Sequence, residues 1–203
     1  ANSVGLTELA GGTDGNIISF DASGNPVAIA TGSDGQVLTS AGAGQPCAFE
    51  TLSAGKVVQV VNTQTGAVAT TTTDLPDDDT IPVITEGGEF MTLAVTPTSA
   101  SNKLMIDVVA FGHTNGVQEF TAALFQDSTS AALASGQTTR DAAAHEMSMV
   151  SFRHFMAAGT TSATTMRVRI GGAGTTFTFN GVSSGRLQGG VLASSITITE
   201  IAV

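Results

Sequence analysis

The 203 residues include 24 Gly, no Trp, no Tyr and only 7 Lys plus Arg against 17 Asp plus Glu, a formal net charge of −10. Such a surface repels phosphate backbones and argues against nucleic-acid binding. No apolar run reaches bilayer-spanning length, and the single cysteine, Cys47, excludes an intrachain disulfide framework. Thr, Ser, Gly and Ala dominate where long helices would want Leu, Glu, Lys and Arg, so the composition predicts an all-β chain. The start, Ala1-Asn2-Ser3-Val4, lacks the basic and apolar parts of a signal peptide. An Ala start fits removal of an initiator Met, so the expectation is a mature chain made in a bacterial cytoplasm without export.

The first fifty residues repeat with a period of 20 (Gly32 minus Gly12). Gly12-Thr13-Asp14-Gly15-Asn16-Ile17-Ile18-Ser19 answers to Gly32-Ser33-Asp34-Gly35-Gln36-Val37-Leu38-Thr39, and Gly24-Asn25-Pro26-Val27-Ala28-Ile29 to Gly44-Gln45-Pro46-Cys47-Ala48-Phe49. Each unit reads as turn, strand, turn, strand, with Asp-Gly in the tight turn and Gly-x-Pro re-entering the second strand. So few apolar residues cannot form a core alone and must lie against neighbouring copies or another protein. Residues 1–52 are therefore expected to form an extended attachment arm. Its contact residues are Ile17, Ile18, Phe20, Val37, Leu38 and Phe49. Cys47 answers to Val27, which points to a small apolar role for that thiol.

Ser53-Ala54-Gly55 reads as a hinge, and 53–203 as a β-sandwich head. Strands are expected around Val57–Val61, Ala67–Thr73, Glu89–Val95, Leu104–Phe111, Phe120–Phe125 and Glu146–Ala157. In the last of these Met147 and Met149 take one face and Val150, Phe152 and Met156 the other. Ala131–Glu146 fits a short helix or a loop. Met166-Arg167-Val168-Arg169-Ile170 alternates apolar with basic, Gly171-Gly172-Ala173-Gly174 turns the chain into Thr175–Phe179, and Ser195–Ile201 closes the fold with Ile196 and Ile198 on one face. Eight to ten strands in about 150 residues fit a jelly roll.

The two repeats, the following Gly-Lys-Val-Val-Gln-Val-Val at Gly55–Val61, the Thr-Pro-Thr-Ser-Ala-Ser-Asn-Lys-Leu stretch at 96–104 and the closing Ser-Ile-Thr-Ile-Thr-Glu-Ile-Ala at Ser195–Ala202 resemble structural proteins of tailed bacteriophages, often labelled tail-fibre proteins. The resemblance implies a homotrimer with a jelly-roll-like head on the outside of a virion. Its partners would be further copies of itself and the major capsid protein or tail proteins of the same particle. The short chain, with two repeats and no long shaft, tips the reading toward a capsid decoration (head-fibre) protein anchored by the arm. A tail fibre or tail-tip receptor-binding protein is the second reading.

Chemistry-bearing motifs are sparse. His113, His145 and His154 lack metal-ligand spacing, and His154 shares the apolar face of Phe152. Asp77, Asp78 and Asp79, with Asp74 nearby, lack the spacing of an EF-hand. They read as a solvated loop, with calcium or a basic neighbour as the alternatives. Gly171–Gly174 has no Lys-Ser/Thr ending, there is no Gly-x-Ser-x-Gly elbow, and Trp and Tyr for a sugar platform are missing. Arg167 and Arg169 read as a solvated strand face, or else as anchors for carboxylates. The expectation is a non-enzyme with no catalytic residues, no metal and no cofactor.

Overall fold

The computed structural model describes residues 11, 15–51, 56–115, 119–139 and 146–203. The proposed hinge Ser53-Ala54-Gly55, His145 and Asp14 of the first Asp-Gly turn lie outside those residues. Two compact units emerge, Ala1–Ala54 and Gly55–Val203. The first holds β1 (Ile17–Phe20), β2 (Pro26–Ile29), β3 (Gln36–Thr39) and β4 (Ala48–Thr51). The second begins with β5 (Val57–Thr65), β6 (Ala69–Thr71), β7 (Gly88–Val95), β8 (Lys103–Thr114), β9 (Phe120–Gln126) and β10 (Ala134–Thr138). It ends with β11 (Ser148–Ala157), β12 (Thr164–Gly172), β13 (Phe177–Phe179), β14 (Gly181–Val182), β15 (Gly185–Arg186) and β16 (Ser194–Ile201). Among the described residues there is no α-helix, only a 3-10 turn at Gln188–Gly190. The chain is all-β, and its second unit is an antiparallel β-sandwich of jelly-roll-like form.

The sandwich is organised around β8, whose positions alternate between buried and half-buried for most of its length. Leu104, Ile106, Val108 and Ala110 point into the core. β11 pairs along one edge of β8; β16 and then β13 share the other, with β5 outside β16 and β6 outside β13. The facing sheet runs β10-β9-β12-β7. It contributes Met91, Phe120, Leu124, Met166, Val168 and Ile170 to the same core. Phe90 stacks on Phe179 at 4.8 Å and meets Phe177 edge-on at 5.7 Å, while Phe120 lies 5.0 Å from Phe177. Gly112 is required under that cluster, since a methyl there would run into the Phe177 ring.

Several expectations change. The stretch expected as helix or loop holds β10, hydrogen-bonded through Ala134–Thr138 to β9; its Ala-Ser-Gly-Gln-Thr sequence carries little strand signal. The run predicted over Ala67–Thr73 shrinks to β6, because only Ala69–Thr71 finds a partner, in β13. Met147 precedes β11 rather than lying in it. Among the described residues β5 to β16 make twelve strands against the eight to ten expected, the additions being β10 and the two-residue hairpin β14–β15.

β9 departs from alternation altogether: its first six residues, Phe120 to Phe125, are all buried. Phe120, Ala122 and Leu124 face the main core, while Ala123 and Phe125 join Leu75, Ile84 and Ala132 in a second cluster on the opposite face. The segment 72–87 supplies that cover. It is pinned to the 130–132 turn by the Ile84 amide on the Ser130 carbonyl (2.8 Å) and the Ala132 amide on the Pro82 carbonyl (2.9 Å). A strand covered on both faces reads as an unbroken apolar run.

Two buried polar clusters tie the sandwich together. Glu200, fully buried on β16, accepts hydrogen bonds from the Thr98 amide (2.8 Å), the Thr98 hydroxyl (2.9 Å), Asn102 Nδ2 (2.6 Å) and Gln59 Nε2 (2.5 Å). Gln59 also donates to the Thr96 carbonyl, so the group joins β5, β16 and the turn between β7 and β8. The second cluster is built on Asn180, in the left-handed region at φ 53°. Its Nδ2 donates to the carbonyls of Thr65 and Ala67, and its Oδ1 accepts from the Ser194 hydroxyl, which itself accepts from the Phe111 amide. Buried polar groups satisfied this fully rigidify a core instead of weakening it.

Burial alone would push the Glu200 carboxyl up, but hydrogen bonds from Gln59, Asn102 and Thr98 outweigh it and hold the pKa lowered to about 2. A depressed carboxyl contributes stability that is complete above its unfolded value near 4.5 and is lost as pH falls toward about 2. The contribution is about 3 kcal/mol. Glu200→Gln should therefore lower neutral-pH unfolding stability by about that amount. In urea titrations it should also flatten the acid-side decline between pH 4.5 and 2. Gly112→Ala should cost about 1–3 kcal/mol through overpacking against Phe177, read as a lower denaturation midpoint with unchanged slope.

Candidate attachment surface

The six predicted contact residues lie on two short antiparallel hairpins. In the first, β1 pairs with β2 so that Ile17 opposes Ile29, Ile18 opposes Ala28 and Phe20 opposes Pro26. Asp21 organises its loop: Oδ1 accepts from the amides of Ser23 (2.8 Å) and Asn25 (2.9 Å), and Oδ2 from Asn25 Nδ2. Those bonds, the Asn25 amide foremost, hold the exposed Asp21 carboxyl below the usual range. Gly15 and Gly35, at φ 80° and 81°, occupy the equivalent turn ahead of β1 and of β3.

The second hairpin is not a copy of the first. Strict translation by 20 residues would set Val37 against Phe49, yet Val37 opposes Glu50 and Leu38 opposes Phe49. The hairpin is out of step by one residue. At the position of Asp21 stands Ala41, whose side chain cannot accept the loop amides as Asp21 does. The loop widens from five residues (21–25) to eight (40–47). In a two-faced strand a slip of one changes which side chains share a face.

Five of the six predicted residues are exposed: Ile17, Ile18 (59%), Phe20 (60%), Val37 and Leu38. Ile18 and Phe20 share one face of β1 with their partners Ala28 and Pro26. Phe49 differs, being half-buried against Gly32, where a side chain would collide with its ring. Among the described residues of this unit only Ile29 is buried. Cys47 and its counterpart Val27 are both half-buried, in an open groove of about 390 Å³ that also takes in Ile29, Pro46 and Phe49. The unit carries five carboxylates, Glu8, Asp14, Asp21, Asp34 and Glu50, and no Lys or Arg; all seven basic residues lie beyond it.

Elsewhere Arg167, Arg169, Asp77 and Asp78 are engaged within the fold. Arg167 reaches both oxygens of Glu89 at 3.1 Å and donates from Nε to the Asp127 carbonyl. Arg169 donates to the carbonyls of Glu86 and Gly87 at 2.7 Å each. Both brace the β7 side of the second sheet, a role that alternation alone does not reveal. In the acidic loop Asp77 accepts from Gln137 Nε2 (2.9 Å) and Asp78 from the Thr80 amide and hydroxyl, which lowers the Asp78 carboxyl. An open depression of about 410 Å³ lies beside them, lined by Asp78, Asp79, Ile81, Pro82, Leu133 and Ser135. Among the described residues no three His, Cys, Asp or Glu side chains converge as metal ligands. His113 is buried, and His154 is half-buried on β11 opposite Ile106.

No family model matches the chain, and no curated protein matches it in sequence. Among solved structures it is similar to Eiger TNF from S. frugiperda, at 10% identity and a TM-score of 0.39, over 70% of this chain and 93% of that one. It is also similar to the Gt strain of infectious bursal disease virus (11% identity, TM-score 0.36, 88% of this chain and 45% of that chain). A third likeness is to the VP2 subviral particle of infectious bursal disease virus (10% identity, TM-score 0.30, 88% of this chain and 47% of that chain). The chain spans less than half the length of those two viral chains. These values lie below the level from which function follows.

Because Ile18 and Phe20 are already in solvent, Ile18→Ser with Phe20→Ser should move the unfolding free energy of the isolated protein by no more than about 0.5 kcal/mol, measured by thermal and urea denaturation.

Proposed function

We propose that the chain is a structural protein of a tailed-bacteriophage virion: a homotrimer on the particle exterior, made in the host bacterial cytoplasm, decorating the capsid through its N-terminal arm. The role is mechanical and not catalytic. The observation that carries the reading is the pair of hairpins whose apolar side chains stand in solvent, with Ile29 alone buried among the described residues. Such a unit gains its stability by lying on something else. Covering Ile18 and Phe20 would contribute about 1.5–3 kcal/mol each. Three arms on one trimer would multiply that contact without new chemistry. With carboxylates only, the arm suits a neutral or basic surface, and the major capsid protein is the partner assigned. The jelly-roll-like sandwich supplies a self-contained head whose stability does not depend on that contact.

The repeat and closing motifs resemble proteins labelled tail-fibre, and that favours a second reading, a tail fibre or tail-tip protein binding a host receptor. Immunogold labelling of intact particles with antibody to residues 56–203 separates the two: gold over the head supports decoration, and gold confined to the tail end replaces it with the second reading. Deleting residues 1–50 should leave a folded head that fails to attach to particles in a co-sedimentation assay. A truncated head that still decorates would remove the arm from the mechanism.

A further inference from the structure

The first sheet has an outward face that none of the described residues of the second unit covers. Register sets its rows. Val60, Thr199, Met105 and Phe155 lie side by side across β5, β16, β8 and β11, and the next row is Asn62, Thr197, Asp107 and Arg153. A register shift between Glu200 and Ile201 places Val57 opposite Ile201, so Val57 and Val60 end on the same side despite an odd spacing. Toward the other end Val109 neighbours Ser151, and Phe111 neighbours Met149. Val57 (56%), Val60 (57%), Met149 (51%) and Phe155 (55%) are as exposed as surface polar residues, in a sheet whose opposite face is closed core. By contrast, the second sheet has its outer side occupied by Leu75 and Ile84 over β9 and by Arg167 and Arg169 over β7.

We infer that this face, centred on Val60, Met105 and Phe155, is where copies of the head meet one another. The inference rests on the homotrimer in the proposed function and assigns its contact surface. Charge selects a second copy as the occupant. The chain as a whole is at −10, so most approaches of one copy to another bring acids together. Across these four strands the outward positions carry Lys103, Asp107 and Arg153 as their charged side chains, one acid against two bases. Asp107 and Arg153 face each other on adjacent strands at 2.7 Å with Arg153 largely exposed, so the pair can be exchanged between neighbouring copies. Four strands about 4.8 Å apart and about nine residues long give a corrugated plane with a footprint of about 550 Å². That is the size of the smaller specific contacts, below the roughly 800 Å² per partner of a standard interface.

Light scattering on the full chain during size exclusion, at micromolar concentration, tests the assignment. The expected mass for the unaltered protein is three times the 20.3 kDa chain. Val60→Lys and Phe155→Asp should each reduce it to one chain, with an unchanged β-type circular dichroism spectrum, whereas Ile81→Asp, at an exposed site away from this face, should leave it intact. Arg153→Asp, at a largely exposed position, sets a second carboxylate beside Asp107; it should weaken assembly at least tenfold in dissociation constant with an unchanged circular dichroism spectrum, and provides the readout should the apolar variants misfold. A trimer that survives Val60→Lys, Phe155→Asp and Arg153→Asp overturns the face assignment and leaves the homotrimer standing. A single-chain mass for the unaltered protein overturns both, while particle labelling still reports separately on virion location.

Discussion

One buried carboxylate fixes the geometry on which the rest of the head depends. Glu200 sits near the end of β16, out of reach of solvent, and is kept ionised by four neutral donor groups from two segments far from it in sequence: Gln59 on β5, and Thr98 and Asn102 in the turn between β7 and β8. Breaking any part leaves a charge or a donor unsatisfied inside the core, which costs more than the bond itself contributes. The Ala158 and Gly159 amides, donating to the Asn102 and Ala100 carbonyls, carry the same lock on to the end of β11. Asn180 performs the corresponding task around Ser194 and Thr65, at the opposite ends of β16 and β5. Between the two, strand pairing and apolar packing hold the sandwich.

How legible each strand is in the sequence follows the number of faces that it buries. β12 and β16 have one core face and one wetter face, so Met166, Val168 and Ile170, and then Ile196 and Ile198, announce their period directly. β9 buries both faces, and nothing in Phe-Thr-Ala-Ala-Leu-Phe says that segment 72–87 will fold over it. β10 is illegible as a strand because its identity comes from hydrogen bonds to β9 rather than from its own side chains. The closing motif containing Glu200, the Thr-Pro-Thr-Ser-Ala-Ser-Asn stretch and the Gln59 strand each stand out singly. That they converge on one carboxylate is a long-range fact that no local pattern encodes.

The exposed apolar residues of the first unit are legible for a different reason. Duplication itself isolates them: when Ile17-Ile18 becomes Val37-Leu38 while the Asp-Gly ahead of each is kept, what is retained is apolar character. The same comparison does not reveal that Phe49, half-buried, packs against Gly32, where its ring takes the space that a glycine leaves. It also conceals the one-residue slip of the second hairpin. A ruler laid along the sequence assumes that equivalent residues pair equivalently, and the clasp that Asp21 supplies has no counterpart at Ala41.

That slip makes the two hairpins a lock with two different wards. Had both kept the clasped loop, the two hairpins would present the same surface twice. With the second register displaced, Ile17 stands against Ile29 in the first hairpin while Val37 stands against Glu50 in the second. A tandem duplication of sequence is thus not a duplication of surface: with Ala41 where the first unit has Asp21, each hairpin presents its own set of side-chain pairs.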